Sequence, residues 1–206
     1  MSTRDSYHHG NLRAELIEAA LAAARTDGAQ AIGLRSITKQ IGVSPNAAYR
    51  HFADRQALIV AVAEEIQARM AETMRSRVLA SDDDSAATRA RSRLRAVGLG
   101  YIAFARAEPG WFSLAFFGAR EAPEPPLSVP GDRTPPPFAL LIEALDALVD
   151  AGELAAERRD GAEWACWSAV HGFAELVIYG PLSTHDDELV SALAERVVDD
   201  IIVGIR

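Results

Sequence analysis

Residues 34–52 read Leu34-Arg35-Ser36-Ile37-Thr38-Lys39-Gln40-Ile41-Gly42-Val43-Ser44-Pro45-Asn46-Ala47-Ala48-Tyr49-Arg50-His51-Phe52, and this stretch decides the fold. Leu34, Ile37 and Ile41 recur at helical spacing, so a first helix has one apolar face. Gly42 follows where a helix C-terminus wants a residue that tolerates left-handed φ. Val43 is apolar and can plug the space between two helices. Ser44 is a good N-cap and Pro45 suits the first helical position, where its missing N–H costs nothing. The spacing predicts a second short helix over Pro45–Phe52. It carries small Ala47 and Ala48, polar Asn46, Tyr49, Arg50 and His51, and a closing apolar Phe52. Two helices joined by a glycine turn, the second polar and capped, form the helix-turn-helix pattern, whose second helix enters a DNA major groove.

The pattern continues on both sides. Upstream, residues 7–13 (Tyr7 to Arg13) lead into an amphipathic helix with Leu12, Leu16, Ala20, Leu21 and Ala24 on one side, stopped by Asp27-Gly28. Downstream, Ala53 to Leu58 starts another helix with Asp54 as its N-cap. Residues 7–62, and most specifically Gly42 to Leu58 (GVSPNAAYRHFADRQAL), resemble the DNA-binding domain of the TetR (AcrR-type) transcriptional regulators. The chain departs from that pattern at Gly33, where a Ser or Thr usually caps the first helix. It departs also at Thr38, where a small apolar residue is usual, and at Arg55, where Lys is usual. The resemblance implies that Tyr49, His51, Arg55, Arg35 and Ser36 grip phosphates. Asn46, Ala47 and Arg50, on a helix opened by Ser44 and Pro45, are the candidates for base edges or the groove floor.

Net charge is −8 over 206 residues, which runs against a DNA binder until its distribution is read. Residues 1–60 hold seven basic and five acidic side chains, a net +2; the remaining residues hold 14 and 24, a net −10. Arg35, Lys39, Arg50 and Arg55 cluster around the motif, the footprint of a nucleic-acid head on an acidic body. No apolar run is long enough to span a bilayer, and the polar start carries no secretory core, so a chain without membrane segments is expected. The single Cys166 forms no intrachain disulfide and fits a reducing, cytoplasmic location; a small buried core residue is its simplest role.

The remainder reads as helix throughout, with no strand-length alternation. Helices are expected over Leu58–Leu79, Thr88–Ala107, Trp111–Phe117, Phe138–Asp150, Gly161–Tyr179 and Asp186–Ile205. A polar break lies at Ser81–Ser85, and Ala122–Pro137, with seven prolines, is expected to be a mobile surface loop. In the last helix Leu189, Leu193, Val197, Ile201 and Ile205 form one stripe and Val190, Ala194, Val198 and Ile202 an adjacent one. That arc is wider than one core face needs, which suits a helix shared between its own core and a second copy. Trp167 to Gly172 resembles the W…HG signature of a TetR C-terminal ligand-binding subgroup, the WHG domain, over about residues 94–205. His171 is either a satisfied core histidine or a pocket group. The candidate effector walls are Tyr101, Phe104, Trp111, Phe116, Trp167, His171 and Phe173, with Glu175 one turn beyond His171.

No phosphate loop, nucleophile elbow or metal-spaced cluster occurs, so neither enzyme chemistry nor a cofactor nor a metal is expected. Asp82-Asp83-Asp84 lacks the spacing of a calcium loop. The expectation is an all-α chain: a three-helix helix-turn-helix head over 1–58 and a ligand-binding, dimerising helical body over 59–206. The resemblance implies a homodimeric repressor that binds a palindromic operator in double-stranded DNA. A small hydrophobic effector, uncharged or weakly cationic, would then release it. The alternative is a DNA-binding adaptor whose body docks a protein partner. A cavity in the body favours the first; a filled body with an exposed apolar patch favours the second.

Overall fold

The computed structural model describes residues 11–78, 84–118 and 134–206. These fold as α1 (Leu12–Asp27), α2 (Leu34–Ile41), α3 (Pro45–Tyr49), α4 (Arg55–Ser76), α5 (Ala86–Ala107), α6 (Pro109–Ser113), α7 (Pro136–Asp150), α8 (Ala162–Ile178) and α9 (Asp187–Ile205), with no strand among the described residues. The lead 7–10, the polar break at 81–83 and most of the proline-rich stretch, 122–133, lie outside them. The chain divides into one compact unit of residues 1–66 and 108–128 and another of 67–107 and 129–206. The expected boundary after residue 58 falls inside α4, an uninterrupted helix, and the segment from residue 108 groups with the first unit.

In the first unit the expected apolar face of α1 is buried at Leu16, Ala20, Leu21 and Ala24. It packs on α2, whose Leu34 and Ile37 are buried with Ala48, Phe52, Leu58 and Ile59. Gly42 adopts φ 75°, and the Val43 N–H reaches back to the Thr38 carbonyl at 3.0 Å, which closes α2 as a left-handed cap. Thr38 is buried and satisfies its hydroxyl by donating to the Arg35 carbonyl at 3.1 Å. That bond explains how a hydroxyl is tolerated where an apolar residue is usual. Asp54 caps α4 as expected, its carboxylate accepting from the Ala57 N–H at 2.8 Å.

Three differences from the expected element bounds have a visible local cause. α3 ends at Tyr49, three residues early. The N–H groups of His51 and Phe52 both turn onto the Ala48 carbonyl, and this tighter turn drives Phe52 into the core. The aromatic helix begins at Pro109 and gives way at Leu114–Gly118 to a wider turn of the π type. α6 docks on the C-terminal part of α1. Trp111 Nε1 donates to the Leu21 carbonyl at 2.8 Å, and Arg25 lies over the Trp111 ring while making a two-pronged pair with Glu108. α7 starts at Pro136, inside the expected loop, because a first helical turn needs no N–H from Pro136 or Pro137.

In the second unit α5 packs against α7, α8 and α9. It approaches the end of α4 so closely that a Cβ at Gly100 would lie 2.7 Å from Met74 Cα. Both stripes of α9 exist, but they are not equivalent. Val190, Ala194, Val198 and Ile202 are buried within the chain, together with Ile205, whereas Leu193, Val197 and Ile201 are half-buried and Leu189 is exposed. Val198 and Ile202 are thus core residues of the single chain. The outward apolar side chains of this unit are Trp164, Leu176 and Tyr179 on and after α8, and Leu189 and Val203 on α9.

Candidate nucleic-acid interface and effector cavity

The helix-turn-helix is held by local bonds that the sequence encodes. Ser44 Oγ accepts from the Ala47 N–H at 3.3 Å and Pro45 fills the first helical position. Removing such a cap costs about 0.5–2 kcal/mol, a large share of the stability of a five-residue helix. Ala48 is fully buried against the rest of the unit, so the opposite side of α3 points outward. Nine of the ten candidate DNA residues are exposed: Arg35, Ser36, Ser44, Pro45, Asn46, Tyr49, Arg50, His51 and Arg55; Ala47 is half-buried. They come from the start of α2, from α3 and its flanks, and from the start of α4. Tyr49 keeps half its surface in solvent, on the outward side of α3. Arg55, however, is bonded to the unit itself: Nε donates to the Ile32 carbonyl at 2.6 Å and Nη2 to the Ala29 carbonyl at 2.5 Å. Arg13 lies 5.4 Å over the Phe52 ring beside His51, a placement the sequence pattern did not single out. Its position on the exposed side of the first turn of α1 was the one available signal.

The second unit holds a partly open cavity of about 20 Å³. Its wall is Met74 of α4, Leu94, Val97, Gly98 and Tyr101 of α5, Pro137 and Leu141 of α7, Cys166, Trp167 and Val170 of α8, and Val198, Ile201 and Ile202 of α9. Among the described residues no charged side chain lines it. The volume holds little more than one water-sized group, since a single water needs roughly 10–15 Å³. A larger ligand must part these helices.

Of the eight candidate effector residues, Tyr101 and Trp167 line this cavity. Phe104 and Phe173 are buried in the same unit away from the wall. Trp111 and Phe116 belong to the other unit: Trp111 binds the Leu21 carbonyl and Phe116 packs on Phe112 at 4.9 Å. Their aromatic character serves the core there. His171 stands behind the wall. Its Nδ1 lies 2.7 Å from the Tyr101 hydroxyl, and its ring stacks on Trp167 with 16° between planes. Burial lowers the His171 pKa from 6.5, with Glu175 opposing, and burial raises the Tyr101 pKa well above 10. Tyr101 is therefore protonated and the imidazole neutral; with the ring proton on Nε2, which lies 3.8 Å from Glu175 Oε1, Nδ1 accepts the Tyr101 O–H. His171 is a satisfied group coupled to the cavity through Tyr101. Glu175 keeps 44% of its side chain exposed and does not enter the wall. Burial pushes the Cys166 thiol up to about 11, so it stays protonated and packs as a small apolar group. The wall residues Met74, Gly98, Val170 and Ile202 were not candidates, because aliphatic positions at helical spacing look the same in a filled core.

A family profile described as bacterial regulatory proteins, tetR family, matches residues 16–62, and one described as tetracyclin repressor-like, C-terminal domain, matches residues 94–201. The chain belongs to the tetR family. As a tetR-family transcription regulator with a helix-turn-helix it is a DNA-binding protein and not an enzyme. The second match covers the stretch that carries the W…HG resemblance, Trp167 to Gly172. No curated protein gives a significant match. Among solved structures the tetR-family chain is similar to a protein of unknown function from Rhodococcus sp. RHA1, at 25% identity and TM-score 0.74, over 97% of this chain and 98% of that one. It shares the fold of the regulator FadR from Bacillus subtilis in complex with stearoyl-CoA, at 14% identity and TM-score 0.65, over 94% and 99% of the two chains. It also shares the fold of a TetR from Acinetobacter baumannii AYE in complex with minocycline, at 20% identity and TM-score 0.61, over 92% and 93%. No described helix is long and apolar enough to cross a membrane.

Proposed function

We propose that the protein is a homodimeric repressor that binds a palindromic operator and is released by an uncharged hydrophobic small molecule. The observation that carries the DNA arm is the outward face of α3, capped by Ser44 and anchored by buried Ala48. Tyr49, His51, Arg35 and Ser36 grip phosphates, while Asn46, Ala47 and Arg50 meet the groove floor. Phosphate contacts fix register without reading sequence; base contacts discriminate. Tyr49→Ala is expected to weaken binding to all duplexes alike. Asn46→Ala is expected to shift preference at one half-site position by about 1–3 kcal/mol. The probe is a duplex selected by the wild-type protein from a random-sequence pool. Unchanged affinity of both variants for it sinks the assignment, and a pool that yields no enriched duplex sinks the DNA reading itself.

The effector arm rests on the uncharged cavity wall. α4 carries Arg55 at its first turn and Met74 in that wall, so a ligand that parts the body helices displaces the helix that enters the head. Such a ligand acts only by binding the DNA-incompetent arrangement more tightly. Exposed Glu175 offers a cation no buried partner, which narrows the class to uncharged compounds. FadR and the Acinetobacter TetR hold larger ligands, stearoyl-CoA and minocycline, on the same fold. A thermal-shift screen of uncharged hydrophobes, hydrophobic cations and acyl-coenzyme A, followed by release of the selected duplex, tests the class. Release by an uncharged compound is expected; specific release by an acyl-coenzyme A overturns it. The adaptor alternative draws on the small cavity and the exposed apolar side chains of α8 and α9, which the repressor reading assigns to a second copy of the chain.

A further inference from the structure

Arg55 opens α4 with its guanidinium turned back onto the connection that precedes α2. Nε and Nη2, the two donors of one guanidinium edge, reach the carbonyls of Ile32 and Ala29 at 2.6 and 2.5 Å. Those carbonyls lie in the 28–33 turn that delivers the chain to α2, where Ile32 is buried and Gly33 occupies the N-cap without any side-chain bond. The start of α2 therefore lacks the cap that a Ser or Thr would supply, and Arg55 ties down the residues just before it. Arg35 and Ser36, exposed on the first turn of α2, are carried by that start.

A lysine would hold this turn less rigidly. Its ammonium is a single point on a flexible stem, whereas the planar guanidinium fork holds two acceptors at a fixed angle. We propose that Arg55 is a positioning residue: it acts on DNA through the start of α2, which it holds in place for the phosphate contacts of Arg35 and Ser36, and not through a phosphate contact of its own. The fork does not substitute for a cap, because a guanidinium only donates and leaves the first N–H groups of α2 as they are; it fixes the backbone just before them.

The proposal rests on the DNA-binding reading, and the wild-type titration against the selected duplex tests that reading separately. Affinity for that duplex is then measured for Arg55→Lys, Arg55→Ala, Ser36→Ala and the pair Arg55→Lys with Ser36→Ala, below the melting transition of each. Arg55→Lys keeps the charge and loses the fork. It is expected to bind about tenfold or more weakly than wild type, matching Arg55→Ala. Ser36→Ala is expected to cost less in the Arg55→Lys background than alone, because the contact it removes is already displaced. Wild-type affinity in Arg55→Lys, or an equal Ser36→Ala cost in both backgrounds, overturns the proposal. The wild-type protein supplies a check that needs no variant. The Arg55 Nε–H should exchange slowly with solvent both without and with the duplex; fast exchange without it overturns the proposal as well.

Discussion

His171 is bonded through Nδ1 to Tyr101, stacked on Trp167 and half-buried, and its chemistry gives a pH signature. Burial holds its pKa below 6.5 in the folded chain. The unfolded chain takes up a proton near that value that the folded chain resists, so unfolding gains as pH falls. The contribution of His171 is thus fully present above about pH 6.5 and is lost as pH falls through the lower folded value. His171→Gln is expected to show a smaller drop in melting temperature between about pH 7.5 and 5.5 than wild type. An identical drop in the two proteins rules His171 out as the source. The residue itself stood out in the sequence as a lone histidine on an apolar helix. That its partner would be Tyr101, 70 residues away, was not written there, because a long-range hydrogen bond has no local spacing.

At the scale of elements, the caps and turns were legible and the close packing was not. Ser44 and Asp54 cap α3 and α4 as their positions before Pro45 and Arg55 imply. Ser44→Ala is expected to lower stability by about 0.5–2 kcal/mol, read from the denaturant midpoint; a midpoint equal to wild type refutes the cap. α5 meets the end of α4 at Gly100, where an added Cβ would fall 2.7 Å from Met74 Cα and 3.1 Å from its Cγ. Backbone cannot yield as a flexible side-chain end can, so Gly100→Ala should force the two helices apart and cost about 1–3 kcal/mol. Chemical denaturation measures it, and a neutral result would mean the helices slide at no cost. Nothing in a helix rich in alanine and glycine marks which glycine touches a neighbour. The early end of α3 escaped notice for a related reason: only the burial of Phe52 decides that the last turn tightens.

At the scale of the molecule, the apolar side chains left outside on α8 and α9 carry the dimer proposal. Val203 is 70% exposed and Tyr179 60%, on helices whose inner stripes are already buried in their own chain. A symmetric pairing of these helices would cover them and set the two recognition helices about 34–36 Å apart on adjacent major grooves. Leu176→Glu and Val203→Glu place charges on that outer face. Each is expected to give a folded monomer with weakened binding to the selected duplex. Light scattering and circular dichroism decide it; a variant that stays dimeric removes its position from the interface. Val198→Glu is the control. It charges the chain's own core and should cost helicity, because Val198 is buried without any partner.

The sequence by itself determined the all-helical class, the helix-turn-helix with its cap and glycine turn, and the charge contrast between the head and the rest. Each of these is set by residues within a few turns of one another, where backbone geometry leaves few choices. It also marked α9 as apolar beyond the needs of one core. Only the tertiary structure decided which stripe of α9 that core takes, and that Trp111 and Phe116 serve the first unit while Tyr101 and Trp167 face a cavity. It alone brought the Arg55 guanidinium onto the carbonyls of Ile32 and Ala29 in the 28–33 turn. The physical reason is common to all of these. Burial and long-range hydrogen bonds depend on which distant residues arrive at the same place, and an apolar or cationic side chain carries no record of its partner.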